Sequence, residues 1–335
     1  MQEKTNRKFW QAPWGYSESF AIVIGLIIIG LALQIAVHSF DFYLLARPVN
    51  FVVCAFVVVS SVVLGIFIGK SSLSKFFTSV PLSVALICAL GVLSIIMGVM
   101  PQSTHSHTLL GFDAMTSNWA FVLVYFFTLL SLGAITFKRL KRFRFKDLFF
   151  TLNHLGLYIL LLSSALGAAD MQRYIMYVSE GETQWRVYDG EKNVKELPIA
   201  IYLEDFKVDF YPSKAIYFDA QTGEIQKGNP KKYENNERYK KVMTEPEPKR
   251  FASDIEVFTE SGTQIKTTLE VNKPLKIGSW TIYQYGYDNR AGNLSEYSSF
   301  ELVYDSWLEA VYLGIILMML GSASMIFTRK KTKEL

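Results

Sequence analysis

The sequence predicts an integral membrane protein of six transmembrane α-helices, with an extracytoplasmic β-rich domain inserted before the last helix. Three observations lead to this fold class. Six stretches of about 20 residues are almost free of charge, and each can cross a hydrocarbon core of roughly 30 Å as a helix. Basic residues cluster at the ends of these stretches. A charged, turn-rich segment separates the fifth stretch from the sixth.

Hydropathy places each predicted span in order along the chain. The spans are residues 20–37, 51–69, 80–100, 119–137, 148–169 and 307–327. They predict three parts, which are a five-helix region (1–169), a soluble domain (170–306) and a final helix with a basic tail (307–335).

The distribution of lysine and arginine predicts the orientation. Basic residues precede the first span, recur at Lys70 and Lys75, fill residues 138–146 and follow the sixth span. The short loops on the other side hold only Arg47. The positive-inside rule therefore places both termini in the cytoplasm of a bacterium, and the soluble domain outside the inner membrane. A net charge of +4 arranged in this way indicates no nucleic-acid partner.

The soluble segment has the alternation of apolar and polar residues that is typical of strands. We predict strands at residues 197–203, 206–210, 255–259, 265–271, 280–285 and 300–304. Residues 260–262 (ESG) predict a hairpin turn, and the polar stretch 228–249 predicts a long loop. The segment contains no cysteine, because Cys54 and Cys88 both lie in spans and are read as packing residues. Thiol chemistry would therefore come from a partner.

The sequence lacks the usual signatures of catalysis, and histidine is scarce. No GxSxG, P-loop or HExxH motif occurs, so we predict no catalytic residue and no metal centre of that kind. One of the four histidines, His154, lies within a span, about two turns from its start. A titratable side chain inside a span tends to face the bundle interior. Two interpretations stay open, namely an interhelical hydrogen bond helped by Asn153, and an axial ligand of haem.

Three features favour the haem interpretation of His154. Its helix carries a surface of small residues, which suits close helix packing or a flat ligand; these are Gly156, Ser163, Ser164, Gly167 and Ala168. The basic residues 138–146 lie at the same membrane face and are placed to attract haem propionates, although membrane topology alone also explains them. No second histidine lies at the same depth, so a six-coordinate haem predicts a partner that supplies the other ligand.

The other histidines favour simpler roles. His38 ends the first span, a membrane thickness from His154, and we expect an interfacial role for it. His105 and His107 form an H-x-H pair in the loop before the fourth span. Such a pair binds a transition metal when further ligands converge, but the sequence offers none, so a solvated loop is favoured.

Residues 271–284, VNKPLKIGSWTIYQ, resemble the ResB (CcsB) family of System II cytochrome c biogenesis. That family carries an N-x-P-L…G…I-Y-Q strand pair late in its outer domain, followed by a final helix. Residues 110–119 resemble the loop that enters a family helix, and residues 149–167 resemble the histidine-bearing helix. The resemblance extends from the fourth span to the end, while an extra pair of spans near the start departs from the commoner architecture.

The resemblance implies one half of a complex that exports haem and attaches it to apocytochrome c. The other half is a CcsA (ResC)-like membrane protein with a tryptophan-rich motif, which this chain lacks. His154 would then supply one axial ligand of transported haem b, and the partner the other. The outer domain, with Asn272, Pro274, Gly278 and Tyr283 shaping a hairpin, would dock apocytochrome c or cap the partner. A thioredoxin-like protein would keep the apocytochrome thiols reduced.

Two other classes of function compete with this prediction. A haem-b quinol-oxidising anchor would need two histidines at matched depth in its own spans, and only His154 qualifies. A membrane scaffold or receptor would bind a protein through its outer domain without any haem.

Overall fold

The computed structural model describes residues 14–68, 71–103, 106–226, 233 and 237–329. Its contacts divide the chain into two compact units. One consists of Met1–Met171 and Ser306–Leu335, and the other of Gln172–Asp305. The first unit is helical and the second is built from antiparallel strands.

Seven α-helices, with short 3-10 turns between some of them, make up most of the described part of the helical unit. They are α1 (Tyr16–Val37), α2 (Val49–Val62, continued by a π-helical turn at Val63–Phe67), α3 (Ser72–Phe77), α4 (Val80–Val99), α5 (Trp119–Lys141), α6 (Leu148–Asp170) and α7 (Leu308–Arg329). Side-chain caps fix several of their starts, since Ser79 accepts the Leu82 N–H and Asn118 accepts the Ala120 N–H. The core between them is formed by aliphatic and aromatic side chains such as Leu82, Leu86 and Met115.

Five of these helices are long and apolar enough to cross a membrane. They are Tyr16–Val37, Val49–Phe67, Val80–Val99, Trp119–Lys141 and Leu148–Asp170. The first five predicted spans are thereby confirmed as long apolar helices, and the protein is a membrane protein. In α7 the apolar stretch among the described residues is shorter, Leu308–Ser324. The sixth span stays a prediction.

A single carboxylate joins three helix ends. Asp170, the last residue of α6, accepts hydrogen bonds from the Arg47 backbone N–H (2.8 Å), Asn50 Nδ2 (2.6 Å) and Trp307 Nε1 (2.9 Å). Its side chain is only 6% exposed. A buried carboxylate is tolerated when it is hydrogen-bonded in this way. Asp170 therefore ties the starts of α2 and α7 to the end of α6.

The second unit contains an eight-stranded antiparallel sheet and a three-stranded one. The strands are β1 (Gln172–Ser179), β2 (Thr183–Tyr188), β3 (Val194–Phe210), β4 (Ala215–Asp219), β5 (Ile225–Gln226), β6 (Tyr239–Met243), β7 (Pro248–Thr259), β8 (Gln264–Glu270), β9 (Leu275–Ile277), β10 (Trp280–Tyr287) and β11 (Tyr297–Tyr304). The sheet orders are β8-β7-β3-β2-β1-β11-β10-β9 and β5-β4-β6.

The large sheet curls so that strands distant in its order meet. The Ser253 hydroxyl on β7 donates to the Ser298 hydroxyl on β11 at 2.9 Å, and Gln284 Nε2 on β10 donates to the same oxygen at 2.7 Å. Inward-facing residues such as Met176 and Phe300 are fully buried around this polar bridge. The curl thus gives the unit its own apolar core.

The sequence predicted the strands and the 260–262 turn more accurately than the loop. Each of the six predicted strands coincides with a strand of the structure, although 265–271 runs one residue past the end of β8. The first two are one continuous strand, β3, with a register shift between Leu203 and Asp205. The predicted 260–262 turn joins β7 to β8, with Gly262 at φ 79°. The prediction of a loop over 228–249 is wrong in part, because β6 pairs with β4 and β7 begins at Pro248. Residues 228–232 and 234–236 of that stretch lie outside the described residues.

We expect acid to weaken one end of β8 through Glu270. Arg250 Nη2 (2.6 Å) and Lys273 Nζ (2.9 Å) donate to this carboxylate and lower its pKa to about 2. A lowered folded pKa stabilises the fold above the unfolded value of about 4.3, and this stabilisation is lost as the pH falls towards 2. The unfolding midpoint of Glu270→Gln should lie below that of the parent at pH 7 and meet it near pH 2. Glu260→Gln, in the exposed turn, should show no such gap.

Candidate functional site

A cavity of about 580 Å³ lies where the end of α5, the start of α6 and the α3–α4 connection meet. Its walls combine cationic, polar and apolar side chains with one imidazole. The lining residues are Lys138, Arg139, Arg142, Arg144, Thr78, Ser83, Asp147, Val80, Ile135, Phe150 and His154. The volume is in the range of pockets that hold a whole small molecule or cofactor.

His154 lies half-buried in this wall with one ring nitrogen already bound. Its Nδ1 is 3.0 Å from the Phe150 carbonyl oxygen. A carbonyl only accepts, so Nδ1 carries the proton and Nε2 of the neutral ring keeps its lone pair. Nε2 has no hydrogen-bond partner in the part of the chain that the structure describes. This is the arrangement in which histidine coordinates a metal through Nε2.

A stack of side chains holds the His154 ring. The Phe150 ring lies over the imidazole, with centroids 3.7 Å apart and planes inclined by 25°. The Arg139 guanidinium lies 4.5 Å from the Phe150 centroid and donates to Asp147 Oδ1 at 3.2 Å. Asp147 precedes α6 but does not cap it, since its side chain is bound to Arg139 instead. Two contacts therefore restrict the orientation of the imidazole. The Phe150 ring covers one of its faces, and the Phe150 backbone carbonyl holds its Nδ1.

The interhelical hydrogen bond considered for His154 is not made among the described residues. Asn153 faces α7 instead, where its Nδ2 donates to Ser322 Oγ (2.5 Å) and to the Met318 carbonyl (3.3 Å). The small residues of α6 also serve helix packing. A Cβ on Gly156 would lie 2.4 Å from Met318 N, and one on Gly167 would lie 2.7 Å from Trp307 Cβ. Close packing against α7, rather than a flat ligand, uses Gly156 and Gly167.

Two of the remaining histidines, His38 and His107, do not line the cavity. His38 caps the end of α1 with φ 63°, and its carbonyl accepts from Trp119 Nε1 at 2.9 Å. His107 is exposed, and its backbone N–H donates to Asp113. The Thr108 hydroxyl also donates to this carboxylate, and it lowers the pKa of Asp113 more than the His107 N–H does. His105 lies outside the described residues. No group of three or more metal-binding side chains occurs within them.

Several residues of the site have no signal in the sequence. Thr78 and Ser83 come from a region more than 50 residues before Arg139 in the chain, and only the tertiary fold brings them to the cavity. Phe150 had a usable signal, because it lies four residues before His154 and thus on the same helix face.

The 271–284 motif forms a tight hairpin in the strand unit. Asn272 has φ 64° in the turn between β8 and β9. Gly278 has φ 59° in the turn between β9 and β10, where Ile277 pairs with Trp280. Gln284 is buried in the bridge to β11 described above. The motif therefore forms one edge of the large sheet, and Gln284 joins that edge to the buried core of the unit.

Fold and site together define a membrane protein with several apolar helices, a separate antiparallel-sheet unit and a cationic, imidazole-bearing cavity. The model of the ResB-like family matches residues 141–295. This match takes in α6 with His154 and the 271–284 motif, so the resemblance holds over that part of the chain.

Other comparisons add little to this match. Among solved structures, cytochrome c heme lyase CcmF is similar at 12% identity with a TM-score of 0.36. The alignment covers 93% of this chain and 46% of that one, so the chain spans about half the length of that structure. A search of curated proteins gives no match.

Proposed function

We propose that the chain is a subunit of a System II cytochrome c synthase, in which haem b is the cargo and His154 one of its axial ligands. One observation carries the proposal. The Nδ1–H of His154 is bound to the Phe150 carbonyl, and this leaves Nε2 for iron at the wall of a cavity of about 580 Å³. The ResB-like match over residues 141–295 supports the biological setting.

The donor set of the cavity fits haem. A neutral imidazole is a common axial ligand of haem iron. The apolar side chains of Val80, Ile135 and Phe150 offer contact for a flat macrocycle, and the cationic side chains offer contact for its acidic groups. Haem supplies the vinyl groups that form thioether bonds with apocytochrome c. This chain's residues bind the cargo, fix its orientation through His154 and shield it from water on its way across the membrane.

The second axial ligand comes from a partner in this proposal. Among the described residues His154 is the one histidine lining the cavity, so a six-coordinate iron needs another chain. A CcsA/ResC-like membrane protein would provide that ligand.

We place both termini in the cytoplasm and the strand unit on the far side of a bacterial inner membrane, because the basic residues of the short loops favour this orientation. There the strand unit would dock apocytochrome c, whose thiols a thioredoxin-like protein keeps reduced.

Co-purification with the CcsA-like partner, followed by a visible spectrum, tests the proposal. A Soret band in the complex is the expected result. Haem held by the isolated chain and reduced by quinol would instead indicate a haem-b anchor. The absence of haem from both preparations, with normal covalent cytochrome c in a deletion strain, would overturn the proposal in favour of a scaffold or receptor.

Phe150 is expected to act as a positioning residue for the axial ligand. Stacked aromatic rings contribute about 0.5–1.5 kcal/mol beyond their buried area, so Phe150→Leu should weaken haem binding roughly two- to tenfold. Iron stays ligated, because the Phe150 carbonyl still holds Nδ1. The low-spin signal of the ferric complex in electron paramagnetic resonance should broaden as the imidazole samples more orientations. Phe145→Leu, at an exposed position outside the cavity, serves as the control. An unbroadened signal in Phe150→Leu would contradict this role.

A further inference from the structure

We propose that Lys138, Arg142 and Arg144 form an anion subsite, which binds the two carboxylates of an amphiphilic ligand whose flat apolar body reaches His154. The proposal takes the ligand from the proposed function, in which it is haem, but it rests on different residues. Its support is that the cations lining one cavity differ in how they are already bound.

Arg139 is committed within the protein. Its guanidinium pairs with Asp147 at 3.2 Å and lies over the Phe150 ring. The charge of Arg139 is therefore balanced, and its position is fixed by its contact with the ring stacked on His154. We exclude it from the anion subsite for this reason.

The three other cations have no acidic partner among the residues that the structure describes. Lys138 Nζ donates only to a neutral oxygen, Thr78 Oγ1, at 2.7 Å. Arg142 and Arg144 are exposed, and neither makes a side-chain hydrogen bond or ion pair within that part of the chain. Arginine stays charged under all physiological conditions, so the wall carries positive charge that no residue of the site neutralises.

Membrane topology explains why cations lie at this face, but not why these three line the cavity. Lys141 belongs to the same helix end, yet it does not line the cavity, and its ammonium donates to the Ile66 carbonyl at 3.1 Å. The cavity thus presents cations at one part of its wall and Val80, Ile135 and Phe150 at another. Planar guanidinium groups bind carboxylates through paired hydrogen bonds. An amphiphile with carboxylates on one edge matches this division.

Haem and its dimethyl ester separate the subsite from the iron ligand, because the ester lacks both charges and keeps the iron. We would titrate the full-length protein, with its CcsA-like partner, in nanodiscs of neutral phosphatidylcholine and follow the Soret band. The parent should bind haem about tenfold more tightly than the ester, since charge-assisted hydrogen bonds are lost. In Arg142→Gln/Arg144→Gln the two affinities should converge. Lys141→Gln, which removes one charge from the same face, should keep the parent ratio. Arg142→Lys/Arg144→Lys keeps both charges but loses the paired hydrogen bonds, so its ratio should fall between those of the parent and the glutamine variant.

The outcomes distinguish this inference from the proposed function. His154→Ala should weaken haem and ester equally, because both need the axial ligand. Equal binding of haem and ester by the parent would overturn the anion subsite while leaving His154 as ligand. A tenfold preference for haem that His154→Ala leaves intact, with no weakening of either ligand, would overturn the iron-ligand proposal alone. Nanodiscs that contain anionic phosphatidylglycerol test whether the cations bind lipid headgroups instead. If parent and glutamine variant then bind haem with the same affinity, and the ester binds as tightly as haem, the cations bind lipid and the inference fails.

Discussion

His154→Ala should abolish the Soret band of the complex purified with its CcsA-like partner. The substitution removes Nε2, the donor that the structure leaves without a hydrogen bond at the cavity wall. Substituting residues that merely support a metal ligand costs about 10- to 100-fold in affinity, so losing the ligand itself costs at least that. We expect covalent cytochrome c to fall in parallel, measured by haem staining of membranes from a strain that carries only the variant.

Two controls make this result specific to ligation. His107→Ala removes an exposed imidazole from a loop. His107 binds Asp113 through its backbone N–H rather than its ring, so the loop is kept and the Soret band should persist. Adding imidazole to His154→Ala should restore part of the band, because the cavity is then free to hold an external ligand in place of the side chain. A full Soret band in His154→Ala without imidazole contradicts the assignment, and a band that imidazole fails to restore indicates a damaged fold.

Hydropathy predicted the long helices to within a few residues, but it did not predict how far α5 extends. The predicted span ends at residue 137, where the charges begin, whereas the helix continues to Lys141. Lysine and arginine are good helix formers, so nothing in residues 138–141 breaks the helix. This extension places Lys138 and Arg139 on the same helix as Ile135, where they line the cavity. Charge marks the membrane boundary, and helix propensity decides where the element ends.

The strand unit shows where local pattern is insufficient. In β1, Tyr174, Met176 and Val178 alternate inward, so the sequence did contain a usable strand signal directly after α6. β6 (YKKVM) is charged and largely exposed, and it is a strand because β4 pairs with all five of its residues. Such tertiary pairing overrides weak local propensity. The cavity is a similar case, because its α3–α4 wall reaches α5 through tertiary contacts, such as the hydrogen bond from Lys138 to Thr78, which no local pattern reveals.

Gly156→Leu should separate α6 from α7 and sharply lower the stability of the helical unit. An ideal Cβ at Gly156 would lie 2.4 Å from Met318 N and 2.6 Å from the Gly314 carbonyl oxygen. The contact is reciprocal, because a Cβ on Gly314 would lie 2.7 Å from Leu160 N. These neighbours are backbone atoms, which cannot rotate away as a flexible side chain does. The helices must therefore move apart.

The expected cost of Gly156→Leu combines overpacking with the contacts that separation breaks. Overpacking costs about 1–3 kcal/mol, and the bond from Asn153 to Ser322 is lost with it. Because α6 also carries His154, haem affinity should fall together with the thermal midpoint in detergent. Gly91→Leu makes the same change on α4, where an added Cβ meets nothing within 4 Å, and should leave both measurements unchanged. Equal midpoints for the two variants would show that α6 and α7 do not depend on glycine contact. A lower midpoint with unchanged haem affinity would show that the site does not need α7.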